Sequence, residues 1–168
     1  MPPIRATALL HFPELVRELG ADPVELLAAH GIRIDDVGRN DVFVGLRGGI
    51  LAIEAAAQTT GTPDFGRRLA LRQGIEILGP LGVAARTAEN LGAALQIFDL
   101  FMGAYSPGLS VRLHPHADPA LVFFEHRVEL EPAPSQAQTV ELSLGIMLRV
   151  LQFMLGPDYR PISAHIPH

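Results

Sequence analysis

The sequence predicts an α+β fold: a two-layer domain with a helical N-terminal region, an antiparallel hairpin-based sheet and long covering helices. Three observations carry that prediction. Apolar residues recur at helical spacing through the first hundred positions, switch to a period of two on either side of Ala117-Asp118-Pro119, and return to helical spacing from Gln136 to Leu155. That order builds layers around one core rather than an alternating parallel sheet. The 168 residues amount to a single domain, 1–168. At this length folding hides roughly 68% of the extended chain's surface, enough for a core without staples.

The segment from Phe12 to Leu19 spells a short helix closed by Gly20. Asp22 then stands as N-cap before Pro23 at the first helical position, with Glu25 three residues on. This is a capping box, in which the two carboxylates satisfy free backbone N–H groups reciprocally. The helix ends at Gly31, which takes the left-handed conformation without a Cβ penalty, and Ile32 covers its end. A polar linker, Arg33 to Asp41, leads to a longer helix from Gly45 to Thr60, loosened by Gly48 and Gly49. Gly61 closes it, and Thr62-Pro63 caps the next helix, Asp64 to Gly74. The apolar stretch from Ile75 to Ala85, broken by Gly79-Pro80 and Gly82, reads as a bend or short strand. Asn90 caps a helix to Tyr105 in which Leu91, Leu95, Phe98, Met102 and Tyr105 form one apolar stripe.

The period-two segments, Leu109 to His116 and Ala120 to Leu130, make a hairpin about the turn Ala117 to Ala120. This register sets His116 opposite Leu121, His114 opposite Phe123, and Arg112 opposite Glu125, a cross-strand charge pair. Pro115 cannot donate a ladder bond, so its strand lies at an edge. Glu131 to Ser135 is a rigid separator before the helix from Gln136 to Leu155. Leu144, Leu148, Leu151 and Leu155 line one side of that helix and Leu142, Ile146 and Phe153 fill others, so it is expected to be largely buried. Ile162 to Ile166 reads as a strand lying back on the sheet.

All 13 basic residues are arginines. Without lysine there is no Schiff base and no P-loop phosphate contact; without cysteine there are no disulfides, thiolate nucleophiles or cysteine-held metals. A net charge of −5 makes the chain a poor wrapper of nucleic acid. The N-terminus has no secretion-signal pattern, and runs such as Gly48 to Ala57 and Leu142 to Leu148 fall short of the ~20 residues of a membrane span. A cytoplasmic protein without membrane contact is expected.

His114 and His116 share a strand face and His126 lies on the partner strand. Such a trio could hold a transition metal, but no carboxylate is placed to complete a shell, so solvated or locally bonded histidines are expected, with no metal and no cofactor. The serines lie in no G-x-S-x-G elbow, Asp35-Asp36 and the pair Glu129 and Glu131 read as solvated, and neither "RGGIL" nor "GPLG" is a dinucleotide loop. Enzymatic chemistry is therefore disfavoured. Arg67, Arg68 and Arg72 read as a solvated helix face rather than a nucleic-acid contact. A small-molecule pocket between sheet and helices fits better. Its candidate residues are Phe98, Met102 and Tyr105 on the middle helix, Phe123, Glu125 and His126 on the hairpin, and Met147 and Arg149 on the last helix. The same side chains would equally furnish an ordinary core.

Taken in order, "DPVELLAAHGI", "IEAAAQTTGTPDFGRRLA", "LGPLGVAAR", "NLGAALQIF" and "VELSLGIMLRVLQFMLGPDYRP", with the closing "ISAHIPH", resemble the N-terminal module of AraC/XylS-type transcriptional regulators in its arabinose-binding-like form. The match covers residues 20 to 168. One departure is Asn90-Leu91-Gly92-Ala93, which keeps the cap but lacks the glutamate of the family's usual Thr-Leu-Gly-Glu; another is Pro115 in the hairpin. The resemblance implies a domain that binds a small effector and dimerises. DNA would be contacted only through a C-terminal helix-turn-helix domain absent from this chain. The alternative is a structural dimerisation module without a ligand. On either reading the acidity is explained: phosphates are left to the other domain.

Overall fold

The computed structural model describes residues 1–166, which form seven α-helices and two antiparallel two-stranded sheets. In chain order these are β1 (Pro3–Arg5), α1 (Phe12–Glu18), α2 (Pro23–Ala28), β2 (Phe43–Gly45), α3 (Leu46–Thr59), α4 (Phe65–Ala70) and α5 (Pro80–Arg86). They are followed by α6 (Leu91–Tyr105), β3 (Leu109–Pro115), β4 (Val122–Val128) and α7 (Ala137–Leu155). The α+β class stands as read. The β1–β2 ribbon, with Ile4 opposite Val44, is an addition; strands of three residues are too short to display a period.

Most caps follow from local chemistry. Asp22 Oδ1 accepts the Val24 N–H at 2.8 Å, and Asn90 Oδ1 accepts the Ala93 N–H at 2.9 Å. Asp22 thus caps through the second helical amide rather than that of Glu25, and Glu25 makes no return bond, so a plain N-cap forms in place of the reciprocal capping box. Gly31 closes α2 at φ +73°, while the Ile32 N–H bonds the Leu27 carbonyl. Thr62 does not cap α4 with its side chain; its hydroxyl turns back to the Thr60 carbonyl, and its own carbonyl accepts the Phe65 N–H. The stretch from Ile75 to Ala85 is no strand. A 3-10 turn at Ile75–Leu78 leads through Gly79, at φ +57°, into α5 with Pro80 at its first position. A left-handed glycine followed by proline starts a helix cleanly, because proline needs no N–H partner there.

The hairpin has the register its sequence implies, with Arg112 opposite Glu125, His114 opposite Phe123 and His126 opposite Val111. β3 packs directly on α6, whose stripe of Leu95, Phe98, Met102 and Tyr105 is buried beneath it. The core runs from there through Ile50 and Ile77 to Phe12 and Phe65, whose rings meet edge to face at 5.6 Å.

α4 and α7 pack closest of the helix pairs, through glycines. A methyl on Gly66 would stand 2.8 Å from the Gln138 carbonyl carbon, and one on Gly145 would overlap Ala70. Gln138 locks this crossing: its Oε1 accepts the Gly66 N–H at 2.9 Å, its Nε2 donates to the Pro63 carbonyl at 2.8 Å, and its backbone N–H reaches Glu54 on α3 at 2.8 Å.

α7 corrects the expectation of a largely buried rod. Only Gln138, Thr139, Leu142 and Val150 are fully buried, because α4 and α3 cover one side alone. Phe153 and Leu155 are exposed. At 19 residues this helix is long and apolar enough, by length and composition only, to cross a membrane, unlike the shorter uninterrupted runs. Ile162 to Ile166 forms no strand: it meets no ladder partner, and Ile162 is 82% exposed. Pro167 and His168, which complete the family-like ending, lie outside the described residues.

Candidate functional site

A cavity of about 120 Å³ lies between the hairpin and the helices. Its walls follow from the two periodicities. The α6 stripe supplies Leu95, Phe98, Met102 and Tyr105 at steps of three and four residues. The inward face of the hairpin supplies Val111 and, at steps of two, Phe124, His126 and Val128. α3 adds Ile50 and Ile53, and α7 adds Thr139, Leu142, Ser143, Ile146 and Met147. α7 does not pack closely on the hairpin, so the cavity occupies the seam between them. For scale, an apolar cavity of about 150 Å³ holds a benzene molecule.

Among the described residues, the lining carries no aspartate, glutamate or arginine. Burial pushes the Tyr105 hydroxyl well above its usual range, an effect partly offset by Thr7, so it stays a neutral phenol. Burial also pushes the His126 imidazole down toward its neutral form. Its ring and the hydroxyls of Thr139 and Ser143 make no hydrogen bond with any of the described residues, and the Thr139 oxygen is fully enclosed.

Of the residues singled out from sequence, the structure brings Phe98, Met102, Tyr105, His126 and Met147 to this cavity. It leaves Phe123, Glu125 and Arg149 outside. Phe123 and Glu125 fall on the outer face of β4. There Phe123 meets the His116 ring edge-on at 5.0 Å, and Glu125 bonds His114 at 2.9 Å and Arg127 at 2.7 Å. Those two partners, Arg127 foremost, hold the Glu125 carboxyl below its usual range. Arg149 is exposed and donates through Nε to the Gln73 carbonyl at 2.6 Å. The inward aromatic is Phe124. Its face was marked in the sequence by Glu125, Arg127 and Glu129, whose alternation labels the other face as wet. Thr139 and Ser143 carried no such signal; two hydroxyls one helical turn apart become informative only when α7 is seen to border a cavity.

The arginine trio is solvated as read. Arg67 and Arg68 pair with Asp64 beside them, and Arg72 makes a two-pronged pair with Glu18 of α1.

Comparison with known proteins adds the family. The pattern for the arabinose-binding domain of AraC transcription regulators, N-terminal, matches residues 20–168. The chain is 36% identical over 157 residues to the HTH-type transcriptional regulator VirS from two strains of Mycobacterium tuberculosis. That alignment takes in 94% of this chain and 46% of VirS, so the chain spans about half the length of these relatives. With its sequence matching this pattern over residues 20–168, this α+β domain belongs to the arabinose-binding N-terminal domain family of AraC transcription regulators.

Proposed function

We propose that this domain is the effector-sensing and dimerisation module of an AraC-type regulator, acting in the cytoplasm and reaching DNA only through a separate helix-turn-helix domain. One observation carries the sensing half. The cavity sits where β4 and α7 face each other without close packing, so an occupant touches two elements that otherwise scarcely meet. A molecule bound there fixes their spacing and favours whichever arrangement holds it better. A ligand shifts an equilibrium only by such differential affinity. Thermal-shift screening of metabolite and lipid libraries, followed by calorimetry, tests this. A binder whose effect disappears in Met147→Trp, which fills the cavity, supports the reading. Absence of any binder, with the melting temperature of Met147→Trp raised by cavity filling, refutes it in favour of a purely structural module.

The dimerisation half rests on the outer face of α6. Leu100 is 74% exposed and Phe101 55% exposed, and Val83 on the adjoining α5 is 63% exposed. Large apolar side chains left in water on two packed helices support a surface that is covered in the working assembly. Sedimentation over a range of concentrations is expected to find a dimer in the parent and monomer in Leu100→Glu/Phe101→Glu. A parent that stays monomeric at high concentration removes this half of the proposal.

A further inference from the structure

Resting on the sensing role, the chemistry of the cavity wall narrows what can occupy it. We infer that the cavity selects a small, uncharged, mostly apolar molecule bearing one hydrogen-bonding group, which meets the hydroxyls of Thr139 and Ser143 on α7.

The argument has three parts. The first is charge. The lining residues include no carboxylate and no guanidinium, and burial keeps both Tyr105 and His126 neutral. An anionic ligand would shed its water against Phe98, Phe124 and Ile146 and find no countercharge among the lining residues, and an ammonium would fare no better. The second is hydrogen bonding. Nearly all buried polar groups in proteins have a partner, so a buried one without any calls for an explanation. Here the enclosed Thr139 hydroxyl is such a group, and the partly exposed Ser143 hydroxyl and His126 ring, which also bond none of the described residues, border the same cavity. Thr139 and Ser143 are four residues apart on α7 and share a face, so one ligand group can meet both. Hydroxyls both donate and accept, which suits an alcohol, ketone, ester or amide. The third is size. A cavity of about 120 Å³ suits a single ring or a chain of about six to eight carbons.

The test uses the whole chain and four probes on one skeleton: benzyl alcohol, benzoate, benzylamine and toluene. Affinities are measured at neutral pH by calorimetry and by ligand-observed NMR. The alcohol is expected to bind about tenfold or more tightly than benzoate and benzylamine. In Thr139→Val/Ser143→Ala its advantage over toluene should fall about three- to tenfold, the worth of an ordinary hydrogen bond. Toluene binding serves as the control that the double variant keeps its cavity. Benzoate or benzylamine binding as tightly as the alcohol, and lost in Met147→Trp, overturns the inference but leaves the cavity a ligand site. An unchanged alcohol preference in the double variant also overturns it. Failure of all four probes to bind overturns the inference; a library compound whose binding is lost in Met147→Trp then keeps the sensing role, and absence of any such compound removes that role too.

Discussion

Replacing Gly66 by alanine probes the joint that holds the α7 wall of the cavity in place. A Cβ there would lie 2.8 Å from the Gln138 carbonyl carbon and 3.1 Å from its Cα, and closer still to its oxygen. Carbon atoms pack at about 3.5–4.0 Å, so α4 and α7 must separate by close to an ångström. All three obstructing atoms are backbone, which cannot swing aside as a side chain tip would. Separation also stretches the 2.9 Å bond from the Gly66 N–H to Gln138 Oε1. Overpacking of this kind costs about 3 kcal/mol. At about 2–4 °C per kcal/mol for a domain of this size, Gly66→Ala should melt about 6–12 °C below the parent. Gly103 is the matched control, since it sits inside α6, exposed, with nothing within 4 Å of a Cβ. Gly103→Ala should therefore gain about 0.5–1 kcal/mol, because alanine loses less backbone freedom in a helix than glycine does. Thermal melting and urea titration of both variants, with urea slopes compared to confirm the same cooperative transition, read the two signs directly. A Gly66→Ala protein melting within about 1 °C of the parent, or a Gly103→Ala protein falling equally far, would show that this glycine-mediated crossing does not exist as described.

Three further outcomes follow from the same packing. Gln138→Leu strands the buried Gly66 N–H, at about 1–3 kcal/mol, while the more exposed Pro63 carbonyl turns to water, so urea denaturation should show a loss of about 1–3 kcal/mol. Met102→Ala removes a buried cavity-wall side chain and should cost about 2–5 kcal/mol while admitting bulkier probes than the parent, measured by calorimetry against ring-substituted benzyl alcohols. His126 has its folded-state pKa lowered by burial, so below pH about 6.5 the unfolded chain takes up a proton that the folded chain refuses. Stability contributed there is complete above that pH and is lost as pH falls, and His126→Phe should flatten the melting-temperature profile between about pH 6.5 and 5; an unchanged slope would refute the burial of that ring. Glu125, lowered by Arg127 and His114, contributes in the same direction at lower pH, below about 4.5.

What could be read without coordinates was whatever depends on neighbours in sequence. The caps of Asp22 and Asn90, the helix end at Gly20, the left-handed turn at Gly31, the α6 stripe and the hairpin register were legible because each rests on residues two to four apart, or on strands joined by one short turn. The same locality misled at Ile75 to Ala85, where Gly-Pro looked like an interruption but starts a helix, and at Ile162 to Ile166, where apolar alternation found no strand to join. The tertiary structure decided which face of each element is inside. It left half of α7 uncovered and set Thr139 and Ser143 beside a space instead of a partner. Periodicity tells that a helix or strand has a greasy side. Whether that side meets another side chain, water or a cavity depends on elements dozens of residues away, whose approach here is set by two glycines and one glutamine at the α4–α7 crossing.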